Sequence, residues 1–182
     1  MTNWSRDLTT YTGFTFHVRP VRPDDEPALA RFFEHVTPDD LRFRFLSTIR
    51  SVGHDRLVTM TQVDHHQTES FVAQLADDGP IIATALLACD AKLDVGEVAI
   101  SIVAEHKHKG IGWELLGHVT RYARARGVKS LQSVESRSNH VAIDLEKELG
   151  FTAESYAGDA SLVVLRKVLQ IAPIGSATVS PA

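Results

Sequence analysis

Two short stretches of this chain carry residue types that could do chemistry together. The first is Glu97, a carboxylate set among Val95, Val98, Ala99 and Ile100. A charged group in an apolar strand is costly unless it is paired or functional, and an isolated carboxylate there has the character of a general base. A strand-end glutamate facing solvent after Gly96 is the plainer alternative. The second stretch is Lys107-His108-Lys109-Gly110-Ile111-Gly112, followed by Trp113. Glycines at 110 and 112 let backbone N–H groups close on a pyrophosphate with no side chain in the way. The first turn of a helix starting there adds unpaired donors and the positive end of its dipole. Lys107, His108 and Lys109 place cationic or protonatable groups at the same rim. A turn that needs glycine only for its geometry accounts for this loop equally well. No G-x-G-x-x-G occurs, and the loop departs from the G-x-x-x-x-G-K-[ST] of nucleoside triphosphatases.

Further on, Glu135 is a rival base, and Asn139 combines an amide that could bind a ligand with a plain helix-capping role. His65, His66, His106 and His108 lack a further ligand at fixed spacing, so no metal site is expected. Cys89, near the end of an apolar strand, reads as a small buried hydrophobe rather than a nucleophile.

These groups need elements to hold them. Residues 95–103 alternate as a strand, with Val98, Ile100 and Ile102 on one face. Residues 112–126 form an amphipathic helix with a stripe of Leu115, Leu116, Val119 and Tyr122, ended by Gly127. A strand over 129–135 follows. Ser138 or Asn139 then caps a helix carrying Val141, Ala142, Leu145 and Leu149, stopped by Gly150. Strands at 151–153 and 161–168 close the fold. Upstream, a strand over 16–21 leads to a helix with Leu29, Phe32, Phe33 and Val36. Thr37-Pro38-Asp39-Asp40 is a second helix start, with Leu41 and Phe45 facing inward. A short helix around Leu57 and Met60 ends near Gln62. Strands over 70–75 and 81–89 are joined by Asp77-Asp78-Gly79-Pro80. Helices early, an antiparallel meander, then strand–helix units predict a mixed α/β fold with a mainly antiparallel sheet flanked by helices. The expected organisation is a flexible N-terminus over 1–15, one domain over 16–169 and a flexible tail over 170–182.

Composition narrows the function classes. The chain has 182 residues, 43% of them apolar, enough for a single core. With 19 basic and 23 acidic residues and no basic block, it lacks the footprint of a nucleic-acid binder. No apolar run approaches the ~20 residues that cross a bilayer, so no membrane association is expected. Residues 1–16 lack the basic start and apolar core of a signal peptide. Cys89 is the single cysteine, which rules out an internal disulfide and suits a reducing, cytoplasmic setting.

The segment from Glu97 to Phe151 resembles the GNAT superfamily of N-acetyltransferases. The family's [QR]-x-x-G-x-[GA] loop aligns on Lys107 to Gly112, with lysine in place of Gln or Arg. Its N-x-x-A-x-x-L-x-x-x-x-G-F helix aligns on Asn139, Ala142, Leu145, Gly150 and Phe151. A closer likeness spans roughly residues 16–168: VRPVRPDDEPALARFF, TPDDLRFRFL and LVTMTQVDHH are similar to bacterial protein lysine acetyltransferases that modify acyl-CoA synthetases. The resemblance implies acetyl-CoA as co-substrate, no metal, and a protein acceptor such as an acyl-CoA synthetase. It implies Glu97 as the base in GEVAISIV. Ile100, Ser101 and Ile102 would hold the pantetheine arm as an added strand would, Asn139 would bind that arm, and His108 to Trp113 would hold the pyrophosphate. Glu146 stands where many members place a tyrosine that protonates the departing thiolate, so the resemblance supplies no general acid. A small-molecule amine acetyltransferase and a catalytically silent acetyl-CoA-binding module are the alternative functions; the oligomeric state is left open.

Overall fold

The structure is a computed structural model that describes residues 4–76 and 78–169. Eight strands form one sheet in the order β1-β2-β3-β4-β5-β6-β8-β7. They are β1 (Arg6–Thr9), β2 (Thr15–Pro20), β3 (Thr68–Gln74), β4 (Ile81–Cys89), β5 (Val95–Ile102), β6 (Ser130–Ser136), β7 (Thr152–Ser155) and β8 (Leu162–Val168). All neighbours run antiparallel except β5 and β6. Among the described residues five α-helices flank the sheet: α1 (Glu26–Glu34), α2 (Pro38–Phe45), α3 (His54–Thr61), α4 (Ile111–Ala125) and α5 (His140–Glu148). The mixed, mainly antiparallel α/β architecture expected from the sequence is the one observed.

Local signals set most of these elements. The Thr37 hydroxyl accepts from the Asp40 N–H at 3.1 Å and donates to the Asp40 carboxylate at 2.6 Å, closing the first turn of α2. Helix α4 buries Ile111, Leu115, Leu116, Val119, Tyr122 and Ala123 in the core. It starts at Gly110, whose φ of 85° is left-handed.

Within the polar stretch before Phe16, one segment forms a strand that its sequence did not announce. Residues 6–9 form the edge strand β1, paired with β2 from Arg6↔Val18 to Thr9↔Thr15. Leu8 is its single buried side chain, so no periodic apolar pattern announces the strand, and an edge position tolerates that polarity. Trp4, just before it, packs edge-on against His118 and Tyr122 with ring centroids 5.7 and 5.1 Å away. The tail expected over 170–182 lies outside the described residues.

One buried ion pair joins the sheet to the first helix. Arg19 of β2 donates to both carboxylate oxygens of Asp25 at 2.8 Å and to Gln74 Oε1 at 2.9 Å. The Arg22 N–H adds a 2.7 Å bond to Asp25. Burial works to raise the Asp25 pKa, but the hydrogen bonds from Arg19 and Arg22 outweigh it and hold the carboxyl below its usual range. Removing one partner of such a pair strands the other charge, so Asp25→Ala is expected to lower the unfolding free energy by about 3–5 kcal/mol in urea melts. Because the folded pKa is depressed, the wild-type contribution is present above about pH 3.9, the unfolded value, and is lost as pH falls through the folded value. The variant should show no such acid-sensitive component.

Candidate active site

The site begins where the parallel pairing of β5 and β6 stops. Only Val95↔Ser130, Gly96↔Leu131 and Glu97↔Gln132 are paired, while β5 runs on to Ile102 and β6 to Ser136. Beyond Glu97 the two strands diverge around a cavity of about 370 Å³. Its β5 wall has a free edge. The Val103 N–H bonds Ile82 O at 3.0 Å, and the two-residue alternation of an antiparallel ladder then turns the N–H and C=O groups of Ile100 and Ile102 toward the opening. An extended amide-bearing chain can add to that edge as a further strand would. Ser101, only 4% exposed, sits in the same wall with its hydroxyl unpartnered, a buried donor that a bound chain could satisfy.

Three glutamates line this cavity in three different environments. Glu97 is exposed, at the apex of the opening, and accepts a 3.3 Å hydrogen bond from Gln132 Nε2. Glu135 accepts from Asn139 Nδ2 at 2.8 Å. Burial pushes its pKa up to about 7, against the lowering effects of that bond and of Arg44. Glu146, on α5, is 6% exposed and takes a hydrogen bond from the Ser133 hydroxyl. Burial raises its pKa to about 8, the Ser133 bond opposes this, and the Glu135 carboxylate adds to it. Arg44 of α2 faces this group: burial lowers its pKa while Glu97 and Glu135 raise it, and its Nε has no hydrogen-bond partner. Its guanidinium lies 5.0 Å from the centroid of the Phe45 ring.

The glycine loop closes the far end. A Cβ on Gly110 would stand 2.8 Å from the Tyr11 ring and 3.0 Å from Thr10, so the glycine is required by contact as well as by φ. Thr12 Oγ1 donates to Lys109 O at 2.9 Å, which seats the β1–β2 turn on the loop. A Cβ on Gly112 would meet Leu145 at 3.2 Å. Lys107 Nζ is held by both oxygens of Asp40 at 2.8 and 2.9 Å, linking the loop to α2. Lys109 Nζ is 2.9 Å from His106 Nδ1 and 5.0 Å from the Phe14 ring centroid. Burial, then Lys109, lowers the His106 pKa, which favours the neutral ring that can accept that bond.

Among the residues singled out in the sequence, Glu97, Ile100, Ser101, Ile102, Lys107, Gly112 and Asn139 meet in the cavity wall. His108, Lys109, Gly110, Ile111 and Trp113 stand apart from it, in the loop and the first turn of α4. Ile111 is buried in the core, so only its backbone is available to a phosphate. Asn139 occupies the N-cap position of α5 without a side-chain capping bond; its amide goes to Glu135 instead. In the sequence Asp40 figures only in a helix start and Arg44 is not counted among the site residues, although both line the cavity. Their four-residue spacing on a helix, which puts them on one face, was the available signal.

The sequence profile of the Acetyltransferase (GNAT) family matches residues 30–151. An acetyltransferase of Pseudomonas aeruginosa is 28% identical over 154 residues, 84% of this chain and 83% of that protein. The GNAT domain of S. lividans PAT superposes with a TM-score of 0.85 at 25% identity, covering 91% of this chain and 97% of that one. The ribosomal-protein-S5-alanine acetyltransferase of Vibrio fischeri shares the fold, with a TM-score of 0.70 at 16% identity and 91% and 96% coverage. An open strand edge, a glycine loop at a helix start and carboxyls between them suit transfer of acetyl from acetyl-CoA to an amine, and the chain belongs to the GNAT family of acetyltransferases.

Proposed function

We propose that this protein acetylates a lysine side chain of another protein, by direct attack on acetyl-CoA with Glu97 as general base. The observation that carries the reading is the divergence of β5 and β6 at Glu97, which puts a carboxylate at the mouth of the cavity the thioester would enter. Lysine has a reference pKa of about 10.4 and arrives mostly protonated, so a base must take a proton before or during attack. Glu97 is exposed, within reach of a long side chain presented from the surface of a folded protein. The thioester carbonyl lies along the free edge of β5, where an N–H of Ile100 or Ile102 supports the developing oxyanion. The loop from His108 to Trp113 holds the pyrophosphate through backbone donors, and Asn139 bounds the pantetheine channel. The likeness of residues 16–168 to acetyltransferases of acyl-CoA synthetases supports a protein acceptor of that kind, and the lone Cys89 suits a cytoplasmic setting.

Glu135 supports a second reading of the base. Its pKa, pushed up to about 7 by burial, matches a group that trades protons near neutrality.

Thiol release from acetyl-CoA, followed against small amines, lysine peptides and candidate acyl-CoA synthetases, tests the acceptor. Release with a synthetase, and an acetyl-lysine found in it by mass spectrometry, is expected. Release with small amines alone makes the protein a small-molecule enzyme. Binding of acetyl-CoA with no release from any acceptor makes it a silent binding module.

A further inference from the structure

Where the pairing of β5 and β6 ends, Gln132 and the residue after it hold two carboxyls, one on each face of the sheet. Gln132 is the β6 partner of Glu97 in the ladder and also donates its side-chain amide to the Glu97 carboxylate. The next residue, Ser133, points to the opposite face, as consecutive strand residues must, and donates its hydroxyl to Glu146 on α5. Both carboxyls line the one cavity, at the apex where the strands part. Glu97 is exposed to water, whereas Glu146 is buried and Ser133 is 1% exposed, packed beneath α5.

We propose that Glu146 is the general acid of the reaction, protonating the sulfur of CoA from the α5 face while the amine is deprotonated from the Glu97 face. This rests on the direct-attack reading given above. The amine nitrogen attacks the thioester carbon and its proton passes to the base. When the tetrahedral adduct collapses, the C–S bond breaks, its electron pair goes to sulfur, and the Glu146 carboxyl proton forms the S–H bond. Glu146 is left as a carboxylate and regains a proton from solvent, to which the base releases the one it took. No other reactant is needed.

The environment keeps the proton in place until then. The titratable and charged groups facing the cavity are Glu97 on β5, Asp40 and Arg44 on α2, Lys107 in the loop, Glu135 on β6 and His140 on α5. Burial is the main influence on Glu146 and Glu135 the charge that acts on it, and both favour the protonated form, with a pKa of about 8. A thiol has a reference pKa of about 8.5, so donor and leaving group are closely matched.

Glu146→Gln keeps the hydrogen bond to Ser133 and removes the transferable proton. The ratio of wild-type to variant kcat, measured with one acceptor over about pH 6 to about pH 10, cancels the ionisation of the acceptor. It is expected to be about 10²-fold at low pH, the lower end of general acid catalysis, and to fall toward one as wild-type Glu146 ionises. The KM for acetyl-CoA should hold. A ratio that stays flat with pH overturns the assignment and leaves Glu97 untouched, whereas a wild type without turnover overturns both. If the variant does not fold, the wild type decides alone. Its kcat divided by the neutral fraction of the amine must decline above about pH 8, and a constant quotient refutes the role.

Discussion

Replacing Glu97 with glutamine should lower kcat by roughly 10²–10⁴-fold, the usual worth of general base catalysis, with acetyl-CoA affinity nearly unchanged. The substitution keeps the size of the side chain and its ability to accept from Gln132, which now bonds the carboxylate at 3.3 Å. Only its proton affinity is lost. Glu97 stands near the start of β5, at the opposite end of that strand from the glycine loop, so donor binding has no reason to weaken. The acidic limb of the pH–rate profile should vanish, leaving activity that climbs with pH as free amine appears. Glu135→Gln is the paired experiment. Burial holds Glu135 at about 7 and Asn139 fixes its orientation, so a base there would give half-maximal activity near that pH. If the change at Glu97 leaves turnover near normal and the change at Glu135 removes it, the base sits on β6. Arg44 faces both carboxylates, and its charge favours the ionised form of Glu135, so a base there works with a cation beside it.

Calorimetry on Gly110→Glu is expected to show no measurable acetyl-CoA binding. Three effects act together at that position. The backbone has a φ of 85°, which a residue with a Cβ adopts only under strain. The new Cβ would lie 2.8 Å from the Tyr11 ring, so the loop or the β1–β2 turn must move. The added carboxylate would sit at the start of α4, where it competes with the pyrophosphate for backbone donors and repels it. A like-charge contact of this kind costs several kcal/mol, more than about a hundredfold in affinity at ~1.4 kcal/mol per tenfold. Gly110→Gln carries the first two effects and the same bulk without the charge, so the difference between the variants isolates the charge. Unchanged affinity in a folded Gly110→Glu protein would remove the loop from the phosphate site.

Elements with strong local chemistry were legible in the sequence. The Thr37-Pro38-Asp39-Asp40 start yields the cap of α2, strand 81–89 is observed to the residue, and the helix expected over 112–126 runs Ile111–Ala125. The edge strand β1 was not legible, because a strand with one buried residue carries no period to read. The cavity was not legible either. It exists because a parallel ladder ends after three pairs, a matter of how β5 and β6 sit in the sheet rather than of any residue in them. The state of Glu146 followed the same logic. In the sequence it marks only the place of a tyrosine, and it is burial beneath α5, over Ser133, that raises its pKa to about 8.

The seating of the β1–β2 turn on the glycine loop bears on how this protein can be trimmed or tagged. The family profile begins at residue 30, well after Tyr11 and Thr12. A truncation drawn to that boundary would keep every cavity-lining residue and still strip the loop of its outer support. The Lys109 carbonyl would lose the Thr12 hydroxyl, Gly110 would lose the ring it packs against, and β3 would lose its partner β2 and become the sheet's edge. Residues 10–12, outside the matched region, are thus part of the scaffold that holds the glycine loop.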